Sequence, residues 1–140
     1  MPAPPPADPS YGYTAHLPGV TFDEARARTV DALRNEGFGV LTEIDVKSTL
    51  KTKLDREFRR YVILGACNPH LAHRALEAEL GIGLLLPCNV CVWEEEGGSV
   101  VSIARPGAMF ELVQRQDVQP VALEADERLR RALEQIASAA

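Results

Sequence analysis

The stretch from Tyr61 to Trp93 constrains this chain more than any other. It reads YVILGACNPH, LAHRALEAEL and GIGLLLPCNVCVW: two apolar runs with a short amphipathic segment between them. Each run is far shorter than the roughly 20 residues a membrane helix needs. Runs of this length suit strands buried on at least one face. Asn68 is a good helix N-cap and Pro69 suits the first helical position. The first run must therefore stop at Cys67, with a helix starting directly behind it. All three cysteines and two of the three histidines fall inside this stretch.

The flanking sequence supplies the remaining elements. Tyr11 to Leu17 alternates large and small residues and reads as a strand, turned by Pro18-Gly19. Thr21-Phe-Asp-Glu24 has the form of a capping box. The helix behind it runs to about Glu36, and Gly37 fits the left-handed residue that ends it. Phe38 to Val46 reads as a strand with Phe38, Val40, Thr42, Ile44 and Val46 on one face. Strict alternation places Gly39, Leu41, Glu43 and Asp45 on the other face, away from the helices. Val46 to Leu54 is a short helical excursion, with Leu50 and Leu54 pointing inward. The run from Arg59 to Ala66 is a strand, and the Asn68-capped helix continues to about Glu79. Gly81 to Pro87 is expected to be a buried loop or irregular edge. Cys88 to Glu94 and Val100 to Ala104 form a hairpin across Glu95-Glu-Gly-Gly-Ser99. Pro106 opens a short helix through Val113. The last helix starts near Pro120 and shows one apolar face ending at Ile136.

Strands joined by hairpins and short helices, with long helices near the two ends, predict an α+β domain. The expected form is an antiparallel sheet with the helices packed on one face. The domain spans residues 10–138. Residues 1–9 carry five prolines and are expected to form a disordered, extended tail without core-forming residues. A docking peptide of the polyproline type is the alternative, and the plain disordered extension is the preferred reading.

Composition narrows the function classes. The 140 residues carry a formal charge of -5, and basic residues are scattered. An acidic chain without a basic cluster points away from nucleic acid and anionic membranes as partners. The N-terminus has no basic region followed by an apolar one, so no secretory signal is expected and the location reads as cytoplasmic. Three cysteines are too few for a disulfide scaffold and read as free thiols. Neither a Rossmann glycine fingerprint nor a P-loop occurs.

Three segments resemble the domain-of-unknown-function 302 family: VLTEIDVKSTLK (40–51), YVILGACNPHLAHRALE (61–77) and GLLLPCNVCV (83–92). The similarity runs from about Tyr11 to Ile136. It implies an uncharacterised bacterial protein with a curved antiparallel sheet of the TATA-binding-protein-like type, in the order β-α-β4-α. It also implies a tendency to form homodimers, and it implies no activity. Cys67, Asn68, Pro69, Pro87, Cys88 and Asn89 fall on motif positions of the family. An aliphatic residue is more usual where Cys91 stands.

The candidate site residues follow from these turns. Cys67 precedes a helix start, where free amides and the positive dipole end favour a thiolate. Against this stands a plain reading as a small buried hydrophobe. Cys88 would approach Cys67 if the two strands are neighbours, which allows a resolving thiol. Cys88-Asn-Val-Cys91 has C-x-x-C spacing, but in a strand positions three apart face opposite ways. Cys67, His70 and Cys88 are conceivable metal ligands without a standard spacing, and His73 can pair with Glu77. Glu43 and Asp45 could do acid–base work or bind a hard cation. Asn68 and Asn89 could line a polar pocket. The uncovered sheet face, with Tyr61, Trp93, Glu43 and Asp45, suits an interface, and dimerisation is expected through it or through a sheet edge.

Three functions remain open at this level. One is a homodimeric small-ligand-binding or regulatory module, with its site at Cys67-Asn68-Pro69 and Pro87-Cys88-Asn89. Another is a thiol-dependent enzyme or redox sensor using Cys67 with Cys88. The third is an interaction protein without chemistry. No cofactor is identifiable.

Overall fold

The computed structural model describes residues 8–138. Strands β1 (Gly12–Pro18), β2 (Gly39–Asp45), β3 (Tyr61–Cys67), β4 (Cys88–Glu95) and β5 (Gly98–Ala104) form one sheet. Their spatial order is β1-β5-β4-β3-β2, and every neighbouring pair is antiparallel. Helices α1 (Phe22–Asn35) and α5 (Gln119–Ser138) pack on each other and on one face of the sheet. Three shorter helices, α2 (Val46–Leu54), α3 (Pro69–Ala78) and α4 (Pro106–Met109), sit in the connections. The fold is therefore α+β, in the expected order β-α-β4-α with short helices inserted.

Local chemistry explains the element boundaries. The Thr21 hydroxyl accepts from the Glu24 amide at 3.2 Å and starts α1. The return half of the capping box gives way to a pair between Glu24 and Arg28, 3.0 Å apart. Gly37, at φ 84°, ends the helix with both bonds of a Schellman motif. Its amide bonds to Arg34 and the Phe38 amide to Leu33. The α5 stripe Ala122, Ala125, Leu129, Ala132 and Ile136 is buried along its length, as its periodicity requires.

Register assigns the sheet faces. Ala15, Leu17, Val62, Leu64, Ala66, Val90, Val92, Val101 and Ile103 face the helices and form the core with them. The intervening residues face the other way, and no helix of the main layer covers them. Val100 is fully buried on this second face and stands apart from the main core cluster.

The structure corrects the sequence reading in three places. First, β2 does not alternate cleanly. Val40 pairs with Ala66 and Thr42 pairs with Gly65, so Leu41 is an extra, bulged residue. The bulge moves Glu43 and Asp45 to the helix side, opposite Leu64 and Val62. Second, α2 buries no residue, and Leu54 is exposed rather than inward. Third, the segment before Pro87 is a 3₁₀ helix, Leu80–Leu85, in which only Ile82 is buried. Leu84 is 93% exposed. Among the described residues, no helix is long and apolar enough to cross a membrane.

Candidate functional site

The Asn68 turn and the Pro87 turn meet at one end of the sheet. Cys88 pairs with Ala66 in the β3–β4 ladder, so it lies diagonally from Cys67 rather than opposite it. Both turns line a small apolar cavity of about 30 Å³, closed by Phe38, Leu71, Phe110 and Val121. On the other side of Pro87 and Cys88 lies a second cavity of about 140 Å³. Leu84, Leu86, Asn89, Met109 and Phe110 line it. The Leu86–Pro87 peptide is cis. A Cβ on Gly65 would lie 2.8 Å from the Pro87 ring and 2.2 Å from the Thr42 hydroxyl. Glycine there lets the proline turn and β2 both close on β3.

Asn68 is buried, and its side-chain oxygen accepts from the amides of His70 (3.1 Å) and Leu71 (3.2 Å). Its amide end packs against the turn at Gly37, where an added Cβ would approach Nδ2 to 2.8 Å. Asn68 thus joins the start of α3 to the end of α1. This geometry also overturns the expected activation of Cys67. The amides that could have stabilised a thiolate already bond to Asn68. Burial pushes the Cys67 thiol up rather than down. Cys88 is pushed up further, to about 11, by burial first and by the neighbouring Cys67 second.

All three cysteines are free thiols. Cys88 lies on the helix side with Ala66. Cys91 lies on the opposite face, the one that carries Tyr61 and Trp93. The C-x-x-C spacing therefore brings no two thiols together. His70 and His73 are exposed on α3, and His73 pairs with Glu77 at 2.8 Å. Among the described residues, no three His, Cys, Asp or Glu side chains gather closely enough to hold a metal ion. Cys67, His70 and Cys88 therefore form no such group.

Glu43 and Asp45 line a different cavity, of about 310 Å³, between α1 and the β2–β3 edge. Asp23, Arg26, Lys47 and Arg60 share its walls. Arg26 donates to Glu43 at 2.7 Å, and this bond holds the Glu43 carboxyl below the usual range. Asp45 caps α2 by accepting from the Ser48 amide at 2.9 Å. The two carboxylates are thus committed separately, one to a guanidinium and one to a helix start. They do not form the acid–base pair that strict alternation suggested. Sequence reasoning missed Arg26 and Arg60 as cavity residues, because only the β2 bulge turns the edge toward α1. It also missed Met109 and Phe110, although the apolar character of that segment was visible.

On the uncovered face, Tyr61 and Trp93 sit opposite each other in register. Their rings stack, 5.3 Å between centroids and 4° between planes. Phe58 adds a tilted ring at 6.3 Å from Tyr61.

No curated protein matches the chain. A crystal structure of an uncharacterized conserved DUF302 protein from Bacillus stearothermophilus superimposes with a TM-score of 0.83 at 29% identity. The match covers 91% of this chain and 99% of that one. The sequence also matches the family described as domain of unknown function DUF302 over residues 13–136. With its Asn68 and Pro87 turns carried on that shared fold, the chain belongs to the DUF302 family.

Proposed function

We propose that this protein is a small-ligand-binding module, with an apolar ligand seated beside Pro87 and Cys88. One observation carries this reading. The two turns that stand out in the sequence line one apolar cavity, and a second cavity opens directly behind it. The thiols there are held protonated by burial, which favours binding over nucleophilic chemistry. Drug-sized ligands occupy pockets of about 300 Å³ or more. The Pro87 cavities are smaller, so the ligand is a compact apolar fragment. Leu84, exposed at the rim of the larger cavity, would be covered when the ligand binds.

The test is amide NMR of the full chain against a panel of short-chain alcohols, ketones and fatty acids. The expected shifts converge on Leu86–Asn89, Met109 and Phe110. Silence across the whole panel would sink the reading.

A second reading takes the cleft of Asp23, Arg26, Glu43 and Arg60 as the site, for a zwitterionic ligand. Its size of about 310 Å³ and its mixed charge favour it. Its carboxylates and guanidinium groups already satisfy each other, which weighs against it. In the same experiment with free amino acids, shifts at Glu43 and Arg60 would select the cleft.

We also propose a second copy of this chain as a partner, meeting it along the free β2 edge. Leu41 and Ile44 are 67% and 50% exposed there. Light scattering showing a monomer at all concentrations would remove this part.

A further inference from the structure

One short segment carries a charge opposite to that of the chain as a whole. Residues 47–60, KSTLKTKLDREFRR, hold six basic side chains against two acidic ones, +4 in a chain of net charge -5. The segment covers α2 and the connection into β3, and α2 buries no residue against the domain. Its ion pairs leave half of the basic groups unmatched. Lys51 pairs with Asp55 at 2.7 Å and with Glu57 at 3.1 Å, and Lys47 approaches Glu57 at 3.9 Å. Arg60 pairs with Asp23 at 2.8 Å. Among the described residues, Lys53 and Arg56 form no ion pair, and Arg59 meets only the Glu94 carbonyl, at 3.4 Å. These three cations bracket two exposed apolar side chains, Leu54 at 63% and Phe58 at 41%. The Lys47 ammonium donates to the Phe58 carbonyl at 2.9 Å, which fastens the connection beside the start of α2.

We propose that this α2–β3 connection docks on an anionic lipid surface, with Leu54 and Phe58 entering the interface and Lys53, Arg56 and Arg59 meeting the headgroup phosphates. Charge complementarity sets the sign of the partner, since the unmatched groups here are all cations. The interleaving sets its kind. A folded protein partner is met by a continuous apolar patch, whereas here single apolar side chains alternate with long basic ones. That arrangement suits a bilayer, where the charged heads stay in the headgroup layer while the stems and apolar tips go below it. A lipid surface also demands no fixed hydrogen-bond geometry from side chains that are exposed and unpaired. The acidic remainder of the chain is repelled by the same surface, which orients the domain with its α2 side toward the lipid. With three cations and two apolar tips the association is reversible and sensitive to salt. This inference is independent of the Pro87 cavities.

The test is co-sedimentation of the full chain with phosphatidylcholine vesicles containing about 30% phosphatidylglycerol, beside vesicles of phosphatidylcholine alone. Binding is expected to the anionic vesicles only, and it should weaken about fivefold between about 0.05 and 0.3 M salt. A full-length variant carrying Lys53→Gln and Arg56→Gln should bind about thirtyfold more weakly. A Leu54→Ser, Phe58→Ser variant should lose about tenfold. Circular dichroism confirms an unchanged fold in each, and the charge variant touches only exposed, unpaired side chains. Equal binding to both vesicle types, or binding to neither, overturns the proposal. So does an unchanged affinity in the charge variant. Bare vesicles together with a dimer that the charge variant turns into a monomer would make a second copy the occupant and overturn it too. Retention on duplex DNA in place of vesicles would do the same.

Discussion

The two faces of β4 show how differently one strand can be used. Val90 and Val92 turn toward α1 and α5 and are fully buried. Cys91 and Trp93, the alternate residues, turn to a face that the main helices do not cover. On the first side, the neighbours are aliphatic groups from several elements, and packing fixes each position. On the second, burial comes from the sheet's own aromatic rings, Tyr61 stacked on Trp93. The core side makes the fold, and the aromatic side leaves a surface available for contact. The Pro87 end lies where the core side runs out, which explains cavities there and not at the sheet centre.

The comparison is broken most severely by cutting into the core side. Leu64→Ala, at a fully buried position on β3, is expected to cost about 3 kcal/mol in urea unfolding. Ile44→Ala, on the neighbouring exposed edge, should cost less than about 1 kcal/mol. Equal losses would mean that the edge is as tightly packed as the core.

Gly65→Ala addresses the junction of the two regions. The added methyl meets the Pro87 ring, which cannot rotate away, and the Thr42 hydroxyl, which can. The expected cost is about 2 kcal/mol, in the range seen for overpacking. Pairing it with Thr42→Ala should recover part of that loss. No recovery would assign the clash to Pro87 alone.

Asn68→Ala tests the cap that ties α3 to the Gly37 turn. The expected loss is about 1 kcal/mol, for the two amides left without their acceptor. The same change frees those amides for Cys67. Its alkylation should then be faster at pH 8 than in the parent. An unchanged rate would show that burial alone holds the thiol protonated.

The smallest effect lies at the edge of the open face. The bond to Asp8 raises the His16 imidazole above its ordinary value, and Glu95 adds to this while partial burial opposes it. A raised folded pKa means that the contribution is full below about pH 6.5. It is lost as pH rises through the folded value. The contact is largely exposed, so its effect on stability is slight. Proton NMR titration of His16 in the parent and in Asp8→Asn should show the lower pKa in the variant. Matching curves would remove Asp8 as the cause.

Much of this protein was legible before any coordinates. Thr21, Gly37, Asn68 and Pro69 act on amides within a few residues of themselves, so the ends of α1 and the start of α3 could be read directly. The apolar stripe of α5 and the hairpin at Gly97-Gly98 are equally local. The pairing of Tyr61 and Trp93 was half visible, since both lay on the predicted open face.

What tertiary structure alone decided was the direction of the edge strand and the state of the thiols. One bulged residue, Leu41, reverses every side chain after it, and the bulge exists only through pairing with β3. Glu43 therefore meets Arg26 across 17 positions of sequence, and no local signal marks that contact. Cys67 looked activated because its helix start was visible in the sequence. How far burial raised it depended on which elements closed around it. Capping and periodicity are short-range chemistry and survive in a bare sequence. Register and desolvation belong to the partner strand and the packed neighbours, and they are settled only when those arrive.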